Sequence, residues 1–425
     1  MSDSFDDTAP FGGSTPVSVI DAAQRLVVVA GVSLRAVSRV FEIFVAEQGP
    51  NAPAPSASGV RWWMQRMGLF ALREPLEIAN DWFYLIDHSV QIGTVKVCLI
   101  LGARLSELPS PPRPLRQNDL RLLALIPTEK SNGTIVCQQL EQAALRTGIP
   151  REIASDHGSD VKSGSELFAS THPETVVIYD AAHHGACVLK RRFERDPHWA
   201  DFVGRLGQTK SRIQQTPDAY LMSPSLRPKA RYMNLASLLL WSVRILSLLA
   251  RGDAGGSATA RAKARYGWME KFRPAISEWS RWEATVRSSV AFVRVQGLYH
   301  CCDIDLQTHL RLRPTAERHA RLEVEMCAFV QSQCQQTKPG ERLVGSTEVI
   351  ESVFGKWKNL ERQESSSGVT TLVLSLGAVI GKWTPERVKL ALEKTPTKNV
   401  VDWCDHNLPQ SIQSMRRQAL TDDPL

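Results

Sequence analysis

With 425 residues, of which 43% are hydrophobic, the chain can build one large domain with additions or two to three domains, and it is not disordered in bulk. A net charge of +7, spread along the chain rather than gathered in a tail, makes an anionic partner such as nucleic acid the one to look for. The most apolar window, Leu235 to Leu249, is short and contains Arg244, so it reads as a buried helix and no membrane partner is expected.

The eight cysteines include no CxxC pair, which excludes a zinc ribbon. Residues 1–16 are acidic and Gly/Ser-rich, a tail without the apolar core of a signal peptide, so a reducing, cytoplasmic location is expected. From Val17 to Gln48 apolar residues recur at helical spacing, interrupted by a turn at Gly31, with Ser33 as the N-cap of a second helix from Leu34 to Val45. Two helices around a glycine turn, with Arg35 and Arg39 outside, resemble a helix-turn-helix that would contact DNA. Two or three packed helices with solvated arginines is the plainer alternative. A linker from Pro50 to Ser58 leads to a short basic helix at Val60 to Gly68.

Strands then begin. Trp82 to Ile86, Thr94 to Leu105 and Leu120 to Ile126 are apolar runs, the second and third separated by a Pro-rich loop from Leu108 to Pro114. A helix at Thr134 to Thr147, a short strand ending at Asp156, a helical turn at Glu166 to Ala169 and a fifth strand at Thr175 to Tyr179 complete the run. Three strands followed by alternating elements fit an RNase H-like α/β core with a mixed five-stranded sheet. From Asp196 to Gly340 the chain reads as helical. It includes a helix carrying Trp279, Trp282, Val286, Val290 and Val293, and another at Thr315 to Gln335. Residues 345–362 read as one helix capped by Ser346. Ser365 to Gly368 break it, and helices at Val369 to Ile380 and Thr384 to Leu392 lead into a polar tail.

Two strands end in carboxylates. Trp82 to Ile86 runs into Asp87, and the segment from Ile153 runs into Asp156 and a small polar loop. Phosphodiester cleavage and strand transfer use two divalent ions held by a small set of hard oxygen ligands, so Asp87 and Asp156 at neighbouring strand ends suit Mg²⁺ or Mn²⁺. A third acid would come from a helix. Glu351 and Glu348 are the candidates, one turn apart. Lys358, two turns beyond Glu351, would neutralise a phosphate. An ordinary solvated helix face is the commoner explanation of a single Glu/Lys pair.

With these residues in order, the chain resembles a DDE transposase of the RNase H-like superfamily, over residues 80 to 365. Glu351-x6-Lys358 matches the second half of the Y-x2-R-x3-E-x6-K signature of insertion-sequence transposases, while Val344 and Thr347 stand at its tyrosine and arginine positions. The long gap from Asp156 to Glu351 is similar to transposases with a helical insertion domain. Asp180-x2-His183 matches the [C/D]-x2-H motif of the hAT type, which gives Asp180 and His183 a supporting role. In such inserts a tryptophan can stack on a flipped base. Trp279 or Trp282 could serve, although core packing explains most tryptophans here.

The resemblance implies metal-dependent cleavage and strand transfer by Asp87, Asp156 and Glu351 with two Mg²⁺ or Mn²⁺ ions. It also implies binding of double-stranded DNA as terminal inverted repeats and target, a homo-oligomer bridging two ends, and a nucleoid-associated cytoplasmic location. Lys162, Lys190, Arg191 and Arg192 would line the DNA path, with Arg35, Arg39 and Lys358 as further contacts. The expected domains are a tail at 1–16, an N-terminal helical DNA-binding region at 17–75, the core at 80–195, an α-helical insertion at 196–340, the catalytic helix at 341–365, and C-terminal helices with a tail at 366–425. Two alternatives stay open: a catalytically silent or domesticated DNA-binding regulator derived from a transposase, and a hydrolytic nuclease of the same fold.

Overall fold

The computed structural model describes residues 7–48, 54–90, 95–225, 232, 235–252, 256–363, 369–410 and 412–421. Contacts divide the chain into two compact units, Met1–Ile178 with Thr347–Leu425, and Tyr179–Ser346.

The first unit begins with α1 (Val17–Val28), α2 (Leu34–Gln48) and α3 (Ala57–Arg73). The Ser33 hydroxyl accepts from the Ala36 amide at 3.0 Å, and Gly31 turns the chain at φ 67°, so the α1–α2 junction forms as its sequence dictates. Next come β1 (Trp82–Val90), β2 (Lys96–Arg104), β3 (Arg121–Thr128), α4 (Gly133–Thr147), β4 (Glu152–Ser155), α5 (Ser159–Thr171) and β5 (Val176–Tyr179). The sheet order is β3-β2-β1-β4-β5. β1 pairs antiparallel with β2 and parallel with β4, and β2 pairs antiparallel with β3. This mixed five-stranded sheet fits the RNase H-like fold. Trp82 to Ile86 are at most 1% exposed, because both faces of the central strand are covered. One face, with Trp82, Tyr84, Ile86, Ile100 and Ile153, packs on Val136, Leu140 and Ala143 of α4 and on Val161 and Phe168 of α5.

Among its described residues, the second unit is mainly helical, with one small strand pair of its own. It contains α6 (Ala181–Arg195), α7 (Trp199–Ile213), α8 (Ala236–Leu249), α9 (Gly256–Tyr266), α10 (Arg273–Gln296), β6 (Leu298–Tyr299), α11 (Cys302–Arg311), α12 (Ala320–Cys334) and β7 (Arg342–Leu343), with β6 and β7 antiparallel. Its core gathers Phe193, Trp199, Phe202, Tyr266, Phe272 and Trp279. The chain then rejoins the first unit through α13 (Glu348–Glu361), α14 (Ser375–Val379), α15 (Pro385–Lys394), α16 (Thr397–Asn407) and α17 (Ile412–Thr421).

Several boundaries differ from the sequence expectation. β1 continues to Val90, because Asp87, His88 and Ser89 keep pairing with Leu99, Cys98 and Val97. The turn expected at Glu166 to Ala169 is the full helix α5. α8 is not apolar all round in its burial, since Leu240 is 53% and Val243 40% exposed. Residues 315–317 form a separate short 3-10 turn before α12. The helix expected from 345 starts at Glu348: Ser346 is buried, and the N-cap is Thr347, whose side chain makes no capping bond. Thr371 to Leu374 is 3-10 before the short α14. The expected polar tail contains α16 and α17. The break at Ser365 to Gly368 lies outside the described residues, as do Thr94 and part of the linker 50–58.

The short basic helix is mostly interior. α3 buries Val60, Met64, Met67, Leu69 and Phe70, and packs on α14, α15 and α16. Gln24 donates to the buried Ala378 carbonyl at 2.9 Å, and Arg66 donates to the carbonyl of Thr395 at 2.7 Å and to that of Leu392. N-terminal and C-terminal helices thus share one compact unit with the sheet.

Candidate active site

The parallel register of β1 and β4 runs from Phe83↔Glu152 to Ile86↔Ser155. The residues that follow this ladder are Asp87, still within β1, and Asp156, the first residue past β4, so the backbone brings the two positions near one another. Both are half-buried and directly follow a run of fully buried strand residues. Strand alternation puts Asp87 on the face of Phe83 and Leu85, opposite the face covered by α4 and α5. α13 also packs against β1.

The turn after β4 shapes the second carboxylate. His157 takes φ 60°, and Asp156 Oδ1 accepts from the Gly158 amide at 2.9 Å before α5 begins at Ser159. Asp87 Oδ1 accepts from the His88 amide at 2.6 Å.

On the opposite face lies a cluster that the sequence did not announce. Asp160, in the first turn of α5, takes the Ser131 hydroxyl and stands 3.6 Å from Lys96 Nζ and 3.9 Å from His88 Nδ1. Burial pushes the Asp160 carboxyl up, but the Ser131 hydroxyl, His88, the Val161 amide and Lys96 outweigh it and hold it below its ordinary value. Burial holds the His88 imidazole below its ordinary value, with Asp160 opposing. Burial also pushes the Cys98 thiol up, helped by Asp87 and Asp160. His88, next to Asp87 in sequence, is turned to the other side of the sheet by the strand period, so proximity in sequence gave no signal of this partner set.

α13 buries Val349, Ile350, Val353, Phe354, Trp357 and Leu360. Glu351 is exposed and Glu348 half-buried, both in the first turn. The Lys358 ammonium lies 5.9 Å from the Phe354 ring centre. Among the described residues, no three His, Cys, Asp or Glu side chains stand close enough together to hold a metal ion. Asp87 and Asp156 each follow a residue of the last β1–β4 pair. Glu351 shares their unit without joining them in such a cluster.

The remaining candidates fall as follows. Arg35 and Arg39 are exposed on α2, and Lys162 is exposed on α5, 3.8 Å from Glu166. In the second unit, Asp180 is 1% exposed and caps α6, accepting from the amides of Ala182 and His183. Lys190 is exposed, while Arg191 and Arg192 of α6 both reach Glu325 of α12. Trp279 is fully buried, and its indole donates to Asp196 at 3.0 Å, so it serves the core. Trp282 is 9% exposed, edge-on to Phe193. All eight cysteines are unbridged. No helix among the described residues is long and apolar enough to cross a membrane.

No protein-family model and no curated protein matches the chain. Among solved structures, the chain is similar to a Drosophila P element transposase strand transfer complex, with 10% identity and a TM-score of 0.40 over 90% of this chain and 93% of that one.

Proposed function

We propose that the chain is a DDE-type DNA transposase that binds element ends, and cleaves and joins phosphodiester bonds with carboxylates drawn from Asp87, Asp156 and Glu351. The observation that carries this reading is the β1–β4 register, whose last pair, Ile86 with Ser155, is followed on each side by an aspartate, Asp87 and Asp156. Two half-buried oxygen donors side by side suit a hard divalent cation, Mg²⁺ or Mn²⁺, with two ions expected. Such ions, when bound, neutralise charge on the reacting phosphate and lower the pKa of a coordinated water.

The chain's own residues divide the remaining work. Asp87 and Asp156 hold the ions. Glu351 completes the set from α13, with Glu348 its competitor one turn away, and Lys358 offsets phosphate charge along that helix. Arg35 and Arg39 on α2, Lys162 on α5, and Lys190, Arg191 and Arg192 on α6 supply the salt-sensitive grip on duplex DNA. Terminal inverted repeats and target DNA are the partners, met by a homo-oligomer that bridges two ends.

A second reading, a DNA-binding regulator without catalysis, is favoured by the absence of a three-ligand cluster among the described residues. The experiment that separates the two uses Asp156→Asn, Glu351→Gln and Glu348→Gln on end-containing DNA with Mg²⁺ or Mn²⁺. Asp156→Asn and Glu351→Gln should bind the DNA yet lose nicking and joining by two orders of magnitude or more, about 2.7 kcal/mol of barrier. Glu348→Gln should stay active. Cleavage retained by Asp156→Asn would sink the enzyme assignment, and a wild type that binds but never nicks would favour the regulator.

A further inference from the structure

The second unit contains a cleft of about 430 Å³ lined by Arg191, Arg192 and Arg195 of α6, with Asp196, Trp282 and Glu325. A single carboxylate spans two guanidinium groups there. Arg191 Nη2 donates to Glu325 Oε1 at 3.0 Å, and Arg192 Nη2 donates to Glu325 Oε2 at 2.9 Å. That is the geometry in which a pair of arginines receives two oxygens of a phosphate. Trp282 backs the pair, its ring centre 6.0 Å from the Arg192 guanidinium carbon.

The other charges in the cleft are unevenly engaged. Asp196 is occupied, accepting from the Trp279 indole at 3.0 Å and from the His198 amide at 2.8 Å. Arg195 is exposed at the cleft wall, where it makes no hydrogen bond or ion pair among the described residues. Three guanidinium groups against two carboxylates leave the cleft cationic even with Glu325 in place. The Glu325 clamp is also only partly shielded, with Arg191 58%, Arg192 27% and Glu325 32% exposed at the side chain. A solvent-exposed ion pair of this kind is readily exchanged for another anion.

We propose that this cleft is a phosphodiester-binding site for the DNA backbone, and that Glu325 is its internal counter-ion, occupying the arginine fork until a backbone phosphate displaces it. The inference rests on the DNA-binding reading above. It adds Arg195 as a contact and Glu325 as the residue that sets affinity.

The test compares wild type, Glu325→Gln and Arg195→Ala for binding to a short DNA duplex over a range of salt, with inorganic phosphate as a second probe. Thermal melting of each variant confirms folding. Removing one charge about 5 Å from a phosphate in a solvated cleft should tighten duplex binding about four-fold. Glu325→Gln should therefore bind about four-fold tighter than wild type, with a slope of log affinity on log salt steeper by about one. Arg195→Ala should bind more weakly with a shallower slope. Wild-type binding that Glu325→Gln leaves unchanged would overturn the inference and spare the DNA reading. No duplex binding by either protein would overturn both. A gain for inorganic phosphate alone would overturn the assignment to the DNA backbone.

Discussion

Asp156 and His184 mark the two ways in which this chain uses a polar side chain next to an apolar core. At Asp156 the chain leaves a strand buried through Ser155, and the next residue, His157, adopts the left-handed φ of 60° that histidine tolerates better than branched residues do. The carboxylate takes one amide from its own turn and stays half-buried, a compromise between burial and access. His184 is also half-buried, but its ring is used for packing. It stacks on Phe329 with ring centres 3.8 Å apart and meets Tyr179 edge-on, and burial pushes its imidazole down to about 4, with Arg191 adding and Glu325 opposing. The folded value lies below the ordinary 6.5, so on acidification the unfolded chain takes up its proton first. The stabilisation is whole above pH 6.5 and is lost as pH falls from there towards 4. Melting temperature should fall over that window in the wild type and fall less in His184→Gln. Parallel pH curves for the two proteins would contradict this account of the ring.

Between elements, close approach is set by two glycines. A Cβ at Gly68 of α3 would come within 1.7 Å of the Leu374 carbonyl oxygen, and one at Gly377 of α14 within 2.6 Å of the Gly68 carbonyl oxygen. Backbone meets backbone there, which leaves nothing to rotate aside. Gly68→Ala should destabilise by about 3 kcal/mol through overpacking. A Cβ at Gly355 of α13 would meet no atom within 4 Å, so Gly355→Ala should stabilise by about 1 kcal/mol through helix propensity alone. Chemical denaturation of both variants checks the pair, and equal effects would contradict the contact.

The same scale explains what the sequence could reveal. The first three strands were legible because Trp82 to Ile86, Cys98 to Leu101 and Leu122 to Leu125 are runs that only a covered sheet accommodates. The end of β1 was not, because pairing with β2 carries Asp87, His88 and Ser89 where composition suggests a break. A capping rule put the start of α13 at Ser346, a residue that is buried instead. α16 was missed although Val400, Trp403 and Cys404 form a short apolar stripe, since polar residues dominate around it. Asp156 was legible as an acid at the end of a strand, whereas Asp87, expected at a strand end too, lies inside β1. Asp160 facing His88, and Glu325 facing Arg191, were not, because each pairing is made by tertiary packing across many residues.

At the scale of the molecule, the carboxylates and the catalytic-helix candidates belong to one compact unit, and the arginine cleft to the other. The proposed DNA contacts lie in both units, Arg35, Arg39 and Lys162 in the unit of the carboxylates and the arginines of α6 in the other, in a chain whose net charge is +7. The central claim is that Asp87 and Asp156 together form a divalent metal site. Titration of Mn²⁺ into the protein, followed by calorimetry or by the spin-resonance signal of the free ion, reads that claim without requiring a DNA substrate. The account predicts saturable binding by the wild type that weakens at least about ten-fold in Asp87→Asn and in Asp156→Asn. Equal binding by the wild type and both variants would contradict it.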